Sequence, residues 1–317
     1  MYKNYHPKVT MLLGITISIV YSLAYNAGLY GFAIDYWSSY HKSNLFYATQ
    51  LFDILGWILA TLTVANVHIG VFITSLLLSL SSFLLIIKSN ISKNGLVVIL
   101  GFIVLLHTWP ILMSASNGMR QGIMISFIFL ALSSFDSNKI LTSIFLLLAL
   151  FSHNSGIIFV STFLGVWMVV NFLSPTRYLL VATVLASSLV IWHGIPLFYA
   201  MPEGGSSRII AGDFRYPFLA INFFTSIFLI SKIKILDNFL SLYVFYLNSL
   251  LPVFLFLGLN WQYERLNQVL LIPTILVLAA YFKYSKREGV VLLVFFLLFI
   301  LTIYTGMFTA LHNQSPL

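Results

Sequence analysis

The stretch IGVFITSLLLSLSSFLLII, residues 69–87, has no charged side chain and is long enough to cross a bilayer, which requires about 20 mostly apolar residues in a helix. Comparable long apolar stretches are 9–29, 96–113, 178–195, 239–258 and 289–308. Shorter or interrupted ones are 120–135, 140–152, 155–172, 217–231 and 267–282. The pattern predicts an all-α, polytopic integral membrane protein with about eleven transmembrane helices.

The composition of the whole chain agrees with a membrane protein. Hydrophobic residues make up 60% of the 317 residues and charged residues 8%, against about 45–50% and about 25% in soluble domains. The absence of cysteine excludes disulfides, a thiolate nucleophile and cysteine metal sites. Lysine and arginine outnumber aspartate and glutamate by 16 to 8 but form no run or basic face, which argues against a nucleic-acid-binding protein.

The distribution of basic residues predicts the topology. The segment 47–67 contains several polar residues and is interpreted as an interfacial or re-entrant helix. With the N-terminus inside, as a retained signal anchor, and 47–67 not crossing, eleven basic residues are cytoplasmic and five lie outside, which satisfies the positive-inside rule. If 47–67 crosses, most lysines lie outside. We therefore expect a single transmembrane domain, 1–317, with outer loops 30–68 and 196–216.

Arginines and lysines differ in their predicted sides. Nine of the ten lysines are placed inside, whereas four of the six arginines are placed outside. A guanidinium group binds phosphate oxygens through two parallel hydrogen bonds and keeps its charge in apolar surroundings. The outer arginines are therefore candidate ligands of a phosphate group, and they are Arg120, Arg208, Arg215 and Arg265.

The segment SNGMRQGIMISF, from Ser116, combines polar residues with helical spacing. Asn117, Arg120, Gln121 and Met124 are spaced i, i+3, i+4 and i+7, which places them on one helix face. A charged residue on a membrane helix usually faces a partner or a water-filled cavity. The alternative is that Arg120 only extends to the lipid headgroups, but that role would not require the two amides on the same face.

The segment FSHNSG places His153 in a polar turn between two short predicted helices. A histidine there could act as a base, an acid or a hydrogen-bond donor, or it could be a structural residue bonded to a backbone carbonyl. His107 and His68 are interpreted as packing or interfacial residues.

The segment NWQYERLNQVLLIP (260–273) crowds Tyr263, Glu264, Arg265, Asn267 and Gln268 into the start of a predicted helix. Glu264 and Arg265 are adjacent, about 100° apart around a helix, and are not expected to share one face. They are candidate functional residues, and a pair of rim charges is the alternative.

Two outer loops supply the remaining candidates. Residues 203–217 carry Arg208, Asp213 and Arg215 beside glycines, and Asp35 lies among aromatic residues of the kind that sugars stack on. A solvated loop is the alternative interpretation. The chain has no Walker A, HExxH, GxSxG or DxD-type motif, so no metal and no cofactor is expected.

Four motifs, taken in order, resemble the Wzy-type polysaccharide polymerases of bacterial inner membranes, and more closely their EpsG-like branch. They are an Asp-Tyr pair in the first outer loop, N-x-x-R-Q, F-x-H-x-S and Y-x-R-L, matched by Asp35-Tyr36, Asn117 to Gln121, Phe151 to Ser155, and Tyr263 to Leu266. Met124 departs from the pattern, since a small residue is usual there.

The resemblance implies a GT-C-like membrane glycosyltransferase that extends O-antigen or a related surface polysaccharide. It implies transfer of the growing chain from undecaprenyl diphosphate to an incoming lipid-linked repeat unit on the periplasmic side of the inner membrane, with a flippase and a chain-length regulator as further partners. The arginines, with Asn117, Gln121 and Tyr263, would bind the substrate. The candidate bases are His153, Glu264, Asp213 and Asp35. A flippase of lipid-linked oligosaccharide and an O-antigen ligase are the alternatives.

Overall fold

The computed structural model describes residues 7–31, 67–116, 118–173, 176–198 and 215–284, and helical residues at 290, 293, 295–297, 299–300 and 303. Its regular structure in these ranges is helical. The α-helices are α1 (Pro7–Asn26), α2 (Val67–Ser89), α3 (Gly95–Leu106), α4 (Trp109–Ser116), α5 (Met119–Ser134), α6 (Lys139–Leu150), α7 (Gly156–Phe172), α8 (Arg177–Phe198), α9 (Arg215–Ser231), α10 (Phe239–Leu250), α11 (Pro252–Phe256) and α12 (Asn260–Tyr284). A short 3₁₀ helix, Ile233–Asp237, precedes α10.

The predicted all-α membrane architecture is confirmed at the level of helix positions. Each apolar stretch from 9–29 to 267–282 coincides with a helix or with a broken pair of helices. Within the described ranges, five helices are long and apolar enough to cross a membrane, and a sixth span results if α3 and α4 count as one. These two helices are bent by 58° at the break. The number of eleven spans and the GT-C-like class stay predictions, and 47–66 lies outside the described residues.

Two predicted boundaries are wrong. The helix expected over 267–282 begins at Asn260, so Glu264 and Arg265 lie inside α12. Arg215, expected in the outer loop 196–216, is the first residue of α9. The physical reason is that apolar runs mark the part of a helix that contacts lipid, whereas polar residues at a helix end are stabilised by packing against protein.

The chain divides into two compact units. The first contains residues 1–160 and 278–317, and the second contains residues 161–277. In the first unit α2 packs against α1, α4 and α5, and α5 packs against α6. In the second unit α10 packs against α8, α9 and α11. The single domain over 1–317 stays a prediction.

Buried serines allow α2 to pack closely within the first unit. Ser75, Ser79 and Ser82 are fully buried on this helix. Each hydroxyl donates to a carbonyl of its own helix, as in the 2.7 Å bonds from Ser75 to Val71 and from Ser82 to Leu78. Because the hydroxyls are satisfied locally, the small side chains let neighbouring helices approach in apolar surroundings.

Polar contacts join helix ends in each unit. Lys88, at the end of α2, forms a 2.9 Å ion pair with Asp136 in the turn between α5 and α6. In the second unit the Arg177 guanidinium, at the start of α8, donates to the Ser231 carbonyl at the end of α9, at 3.1 Å. The predicted topology assigns all of these helix ends to the cytoplasmic side. Each contact therefore joins two helix ends on the same predicted side of the membrane.

Candidate functional site

The start of α5 is held close to α4 by a glycine. A Cβ atom on Gly122 would lie 2.2 Å from the Ser114 carbonyl oxygen, so no larger residue fits without a backbone shift. The Gly118 amide also donates to the Met113 carbonyl at 3.0 Å. This close approach explains the second glycine of the segment NGMRQG. It fixes the preceding turn, in which Gln121 is 6% exposed and Arg120 is half-buried.

A second glycine shapes the turn that carries His153. A Cβ atom on Gly156 would lie 2.6 Å from the Ala149 carbonyl oxygen, so the first residue of α7 packs directly against the last turn of α6. The predicted turn between two short helices is thereby confirmed, with residues 151–155 joining them. The close contact also explains why the segment FSHNSG ends in glycine.

The two motifs meet in the first unit, although about thirty residues separate them in sequence. The Ser155 hydroxyl donates to the Met124 sulfur at 3.3 Å, one helical turn beyond Arg120. The same hydroxyl lies 2.8 Å from Nδ1 of His153, and the Ser155 backbone N–H donates to this nitrogen at 3.2 Å. Met124, the residue that departs from the family pattern, therefore forms the contact between the arginine helix and the histidine turn.

His107 has the packing role expected for it. Its Nδ1 lies 2.8 Å from the Ile103 carbonyl oxygen and its Nε2 lies 3.0 Å from the Tyr30 hydroxyl. The ring also contacts Tyr21. Both ring nitrogens have protein partners, so His107 holds the break between α3 and α4 against the end of α1. His68 lies exposed in the first turn of α2.

A buried network of amides joins three helices of the second unit. Asn222 on α9 donates to Asn248 of α10 at 3.0 Å and to Asn267 of α12 at 2.8 Å, and it accepts a 2.6 Å bond from the Tyr263 hydroxyl. Asn248 donates in turn to Thr274 at 3.1 Å. All five side chains are at most 3% exposed. The Tyr263 hydroxyl, a predicted substrate ligand, is engaged within this network and stabilises the helix that carries the neighbouring candidates.

Glu264, Arg265 and Gln268 form a polar stripe on α12. Gln268 follows Glu264 by four residues and Arg265 by three, so it lies between them on the helix surface. Glu264 and Arg265 are consecutive residues of α12 and lie about 100° apart around it, as the sequence predicts. Glu264 is 7% exposed, which excludes an exposed rim charge, and Arg265 is half-buried.

Gln268 is a residue to which the sequence alone assigned no role. It is 3% exposed, and its Nε2 has no hydrogen-bond partner within the described ranges. A buried amide donor without a partner is costly and is typical of a position that a ligand completes. The spacing i, i+3, i+4 that selected Arg120 and Gln121 would have identified this stripe as well.

The remaining candidates are placed only in part. Arg215 is half-buried in the first turn of α9. Four predicted site residues lie outside the described residues, and they are Asp35, Asn117, Arg208 and Asp213. Among the side chains that the structure describes, no three of His, Asp and Glu form a group that could hold a metal ion.

The comparison with known proteins identifies one family. The family model described as EpsG family matches residues 9–316, nearly the whole chain. No curated protein and no solved structure matches the chain. The match agrees with the order of the motifs, and it indicates a polysaccharide-polymerase-like membrane protein. By this match over almost its entire length, the chain belongs to the EpsG family.

Proposed function

We propose that this protein polymerises lipid-linked oligosaccharide repeat units of an O-antigen or a related surface polysaccharide. It transfers the growing chain from undecaprenyl diphosphate to the non-reducing end of an incoming lipid-linked unit, at the periplasmic face of the bacterial inner membrane. The observation that carries this proposal is the family match over residues 9–316. The contact between the Arg120 helix and the His153 turn supports it, because it brings two motif segments together.

The chemistry follows from the charge that develops in the transfer. The bond between the anomeric carbon and a phosphate oxygen breaks, and its electron pair leaves on the diphosphate. Guanidinium groups held in place and partly shielded from water stabilise that charge without a metal. Arg120 and Arg265 are the proposed phosphate-binding residues, with Arg208 and Arg215 as further candidates. Gln121 and Gln268 supply neutral donors beside them.

The acceptor hydroxyl must lose a proton as it attacks the anomeric carbon. The residues proposed for this step are His153, Glu264, Asp213 and Asp35, since each carries a group that can accept a proton near neutral pH. Burial of Glu264 places its carboxylate away from bulk water, where an electrostatic contact with substrate is stronger than at an exposed site.

The decisive experiment compares surface polysaccharide from a strain that lacks the gene with that from a strain complemented by it. We expect a long ladder of polysaccharide chains only in the complemented strain. In the strain that lacks the gene, we expect a single repeat unit attached to the final carrier. If single units also disappear from the surface of the deletion strain while lipid-linked units accumulate inside, transport is the function. If free lipid-linked polymer accumulates instead, ligation is the function.

The predicted orientation has its own test in this cysteine-free chain. Single cysteines at Lys93 and at Gly205 are expected on opposite sides of the membrane. A membrane-impermeant thiol reagent added to intact cells whose outer membrane has been permeabilised should label only the second position. Labelling of both positions in sealed cells would contradict the topology and remove the periplasmic assignment.

A further inference from the structure

Helix α8 has little protein around it. Of the five helices in the described ranges that are long and apolar enough to cross a membrane, it is the least buried. Leu180 is the single buried side chain among its described residues, and exposed apolar side chains such as Leu185, Leu189 and Val190 follow it. Because helices in a membrane associate through close packing, the position of α8 depends on a few contacts and on the lipid beside it.

The polar contacts of α8 lie near its first residue. The Arg177 guanidinium donates to the Ser231 carbonyl at the end of α9, at 3.1 Å. Six residues later the Thr183 hydroxyl is hydrogen-bonded to the Tyr246 hydroxyl of α10. Helix α10 also packs against α9. Both α8 and α9 are therefore attached to α10, and they are joined to each other at the end that carries Arg177.

Space opens along α8 beyond these contacts. Gly194 follows Thr183 by eleven residues, about three helical turns, so the two residues share a face and lie about 16 Å apart. No described atom lies within 4 Å of a Cβ atom built on Gly194. Within the described ranges, α8 and α9 each pack against α10 and α11 but do not pack extensively against each other. A groove therefore runs along α8, and its half-buried apolar side chains include Val184, Ile191 and Ile195.

Basic side chains lie at the closed end of this groove. Lys232 directly follows Ser231, whose carbonyl binds Arg177, and Lys234 lies in the 3₁₀ helix between α9 and α10. The side chains of Arg177, Lys232 and Lys234, which we call the basic cluster, are exposed. Asp237 is the one acidic residue in the connection from α9 to α10. Three basic residues and one acidic residue give this end of the groove an excess of positive charge.

The basic cluster is level with the lipid headgroups. Helix α8 enters its apolar sequence directly after Arg177, and the next residue, Tyr178, is 90% exposed. A tyrosine at the end of a membrane helix is typical of the boundary between hydrocarbon and water. In the 3₁₀ helix the half-buried Ile233 and Ile235 alternate with exposed lysines, as expected of a segment that lies along a membrane surface.

We propose that an anionic phospholipid binds here, with its phosphate at Lys232 and Lys234 and its acyl chains in the groove beside α8. The Arg177 guanidinium, fixed by the Ser231 carbonyl, adds a third positive charge. The charge of the basic cluster selects a negatively charged headgroup, and the apolar groove that begins there selects a ligand with long hydrocarbon chains. The lipid supplies the packing that α8 lacks. This role does not depend on the proposed polymerase reaction.

The test measures phospholipid binding to the purified full chain in a nonionic detergent. The midpoint of thermal unfolding is followed as palmitoyl-oleoyl-phosphatidylglycerol is added, and in parallel with palmitoyl-oleoyl-phosphatidylcholine, which has the same chains and no net charge. A ligand of the folded state raises the midpoint, so we expect a saturable rise with phosphatidylglycerol alone. Equal rises with the two lipids would overturn the proposal. A similar rise with inorganic phosphate would also overturn it, because that anion has no acyl chains.

Two lysine substitutions locate the headgroup. Lys232→Gln and Lys234→Gln each remove one positive charge and keep a long polar side chain. Each should raise the phosphatidylglycerol concentration for half of the full shift about fivefold, and the double variant should raise it about 25-fold. Lys93→Gln is the matched control, because Lys93 is an exposed lysine of the first unit. Equal concentrations for the double variant and the control would overturn the proposal.

A glycine substitution locates the acyl chains. Gly194→Leu should also raise the concentration for half of the full shift, although every basic residue is kept, because leucine fills the space assigned to the chains. Gly165→Leu is the matched control, since Gly165 is also a helical glycine of the second unit with open space around it. Equal concentrations for the two leucine variants would place the chains outside the groove and overturn the proposal.

Discussion

Replacing Asn222 by leucine tests whether the buried amide network holds the second unit together. Leucine has a similar volume, so the change removes hydrogen bonds without opening a large cavity. Three interhelical bonds are lost, two donated by Asn222 and one accepted from Tyr263. Such bonds contribute about 0.6–1.7 kcal/mol each within a membrane, so we expect a loss of about 2–5 kcal/mol in the free energy of unfolding. The folding equilibrium constant should fall roughly 30-fold or more.

The assay is reversible unfolding of the purified protein in mixed detergent micelles, followed by tryptophan fluorescence as the fraction of denaturing detergent increases. Asn171→Leu is the matched control, because Asn171 is exposed and its amide donates, among the described residues, to the Trp167 carbonyl of its own helix. Ser226→Ala is an intermediate case, since it removes the single 3.0 Å bond from Ser249. If Asn222→Leu unfolds at the same detergent fraction as Asn171→Leu, the network contributes nothing to stability and the reasoning is refuted.

The remaining predictions concern the arginines and the helix contact beside them. Arg120→Lys and Arg265→Lys should sharply shorten the polysaccharide ladder at normal protein level, because the planar guanidinium is lost while the charge is kept. Arg177→Lys is the control. Full-length ladders from both test variants would mean that Arg120 and Arg265 are only lipid anchors. Gly122→Ala should lower the midpoint of thermal unfolding and cost about 1–3 kcal/mol, because its methyl group meets a backbone carbonyl. Gly165→Ala, in a helix with open space around it, should not lower the midpoint, and equal midpoints for the two variants would mean that the α4–α5 contact is not tight.

The sequence predicted where the helices lie because spans in lipid must be apolar and must satisfy their backbone internally. It misplaced the starts of α9 and α12, where Arg215 and Glu264 are helical but polar. Hydropathy identifies residues that face lipid, whereas these ends are stabilised by protein. A local pattern therefore could not set the boundary.

The sequence named the candidate residues other than Gln268, but it did not predict how they are arranged. Helical spacing identified the face that carries Arg120 and Gln121. The contact of Met124 with Ser155 joins segments about thirty residues apart and depends on the packing of α5 against the turn after α6. Asn222 and Asn248 each lie in an apolar stretch, so the local sequence does not show that they bond to each other. An amide inside a predicted span does indicate that it has some polar partner.

The asparagine network also constrains the order in which the second unit can be assembled during synthesis. The ribosome releases α9 and α10 before α12, so Asn222 can bond to Asn248 while Tyr263 and Asn267 are still missing. An unsatisfied amide costs several kcal/mol in hydrocarbon. We therefore expect the α9–α10 hairpin to remain at the insertion machinery, and to leave it for the lipid only after α12 arrives.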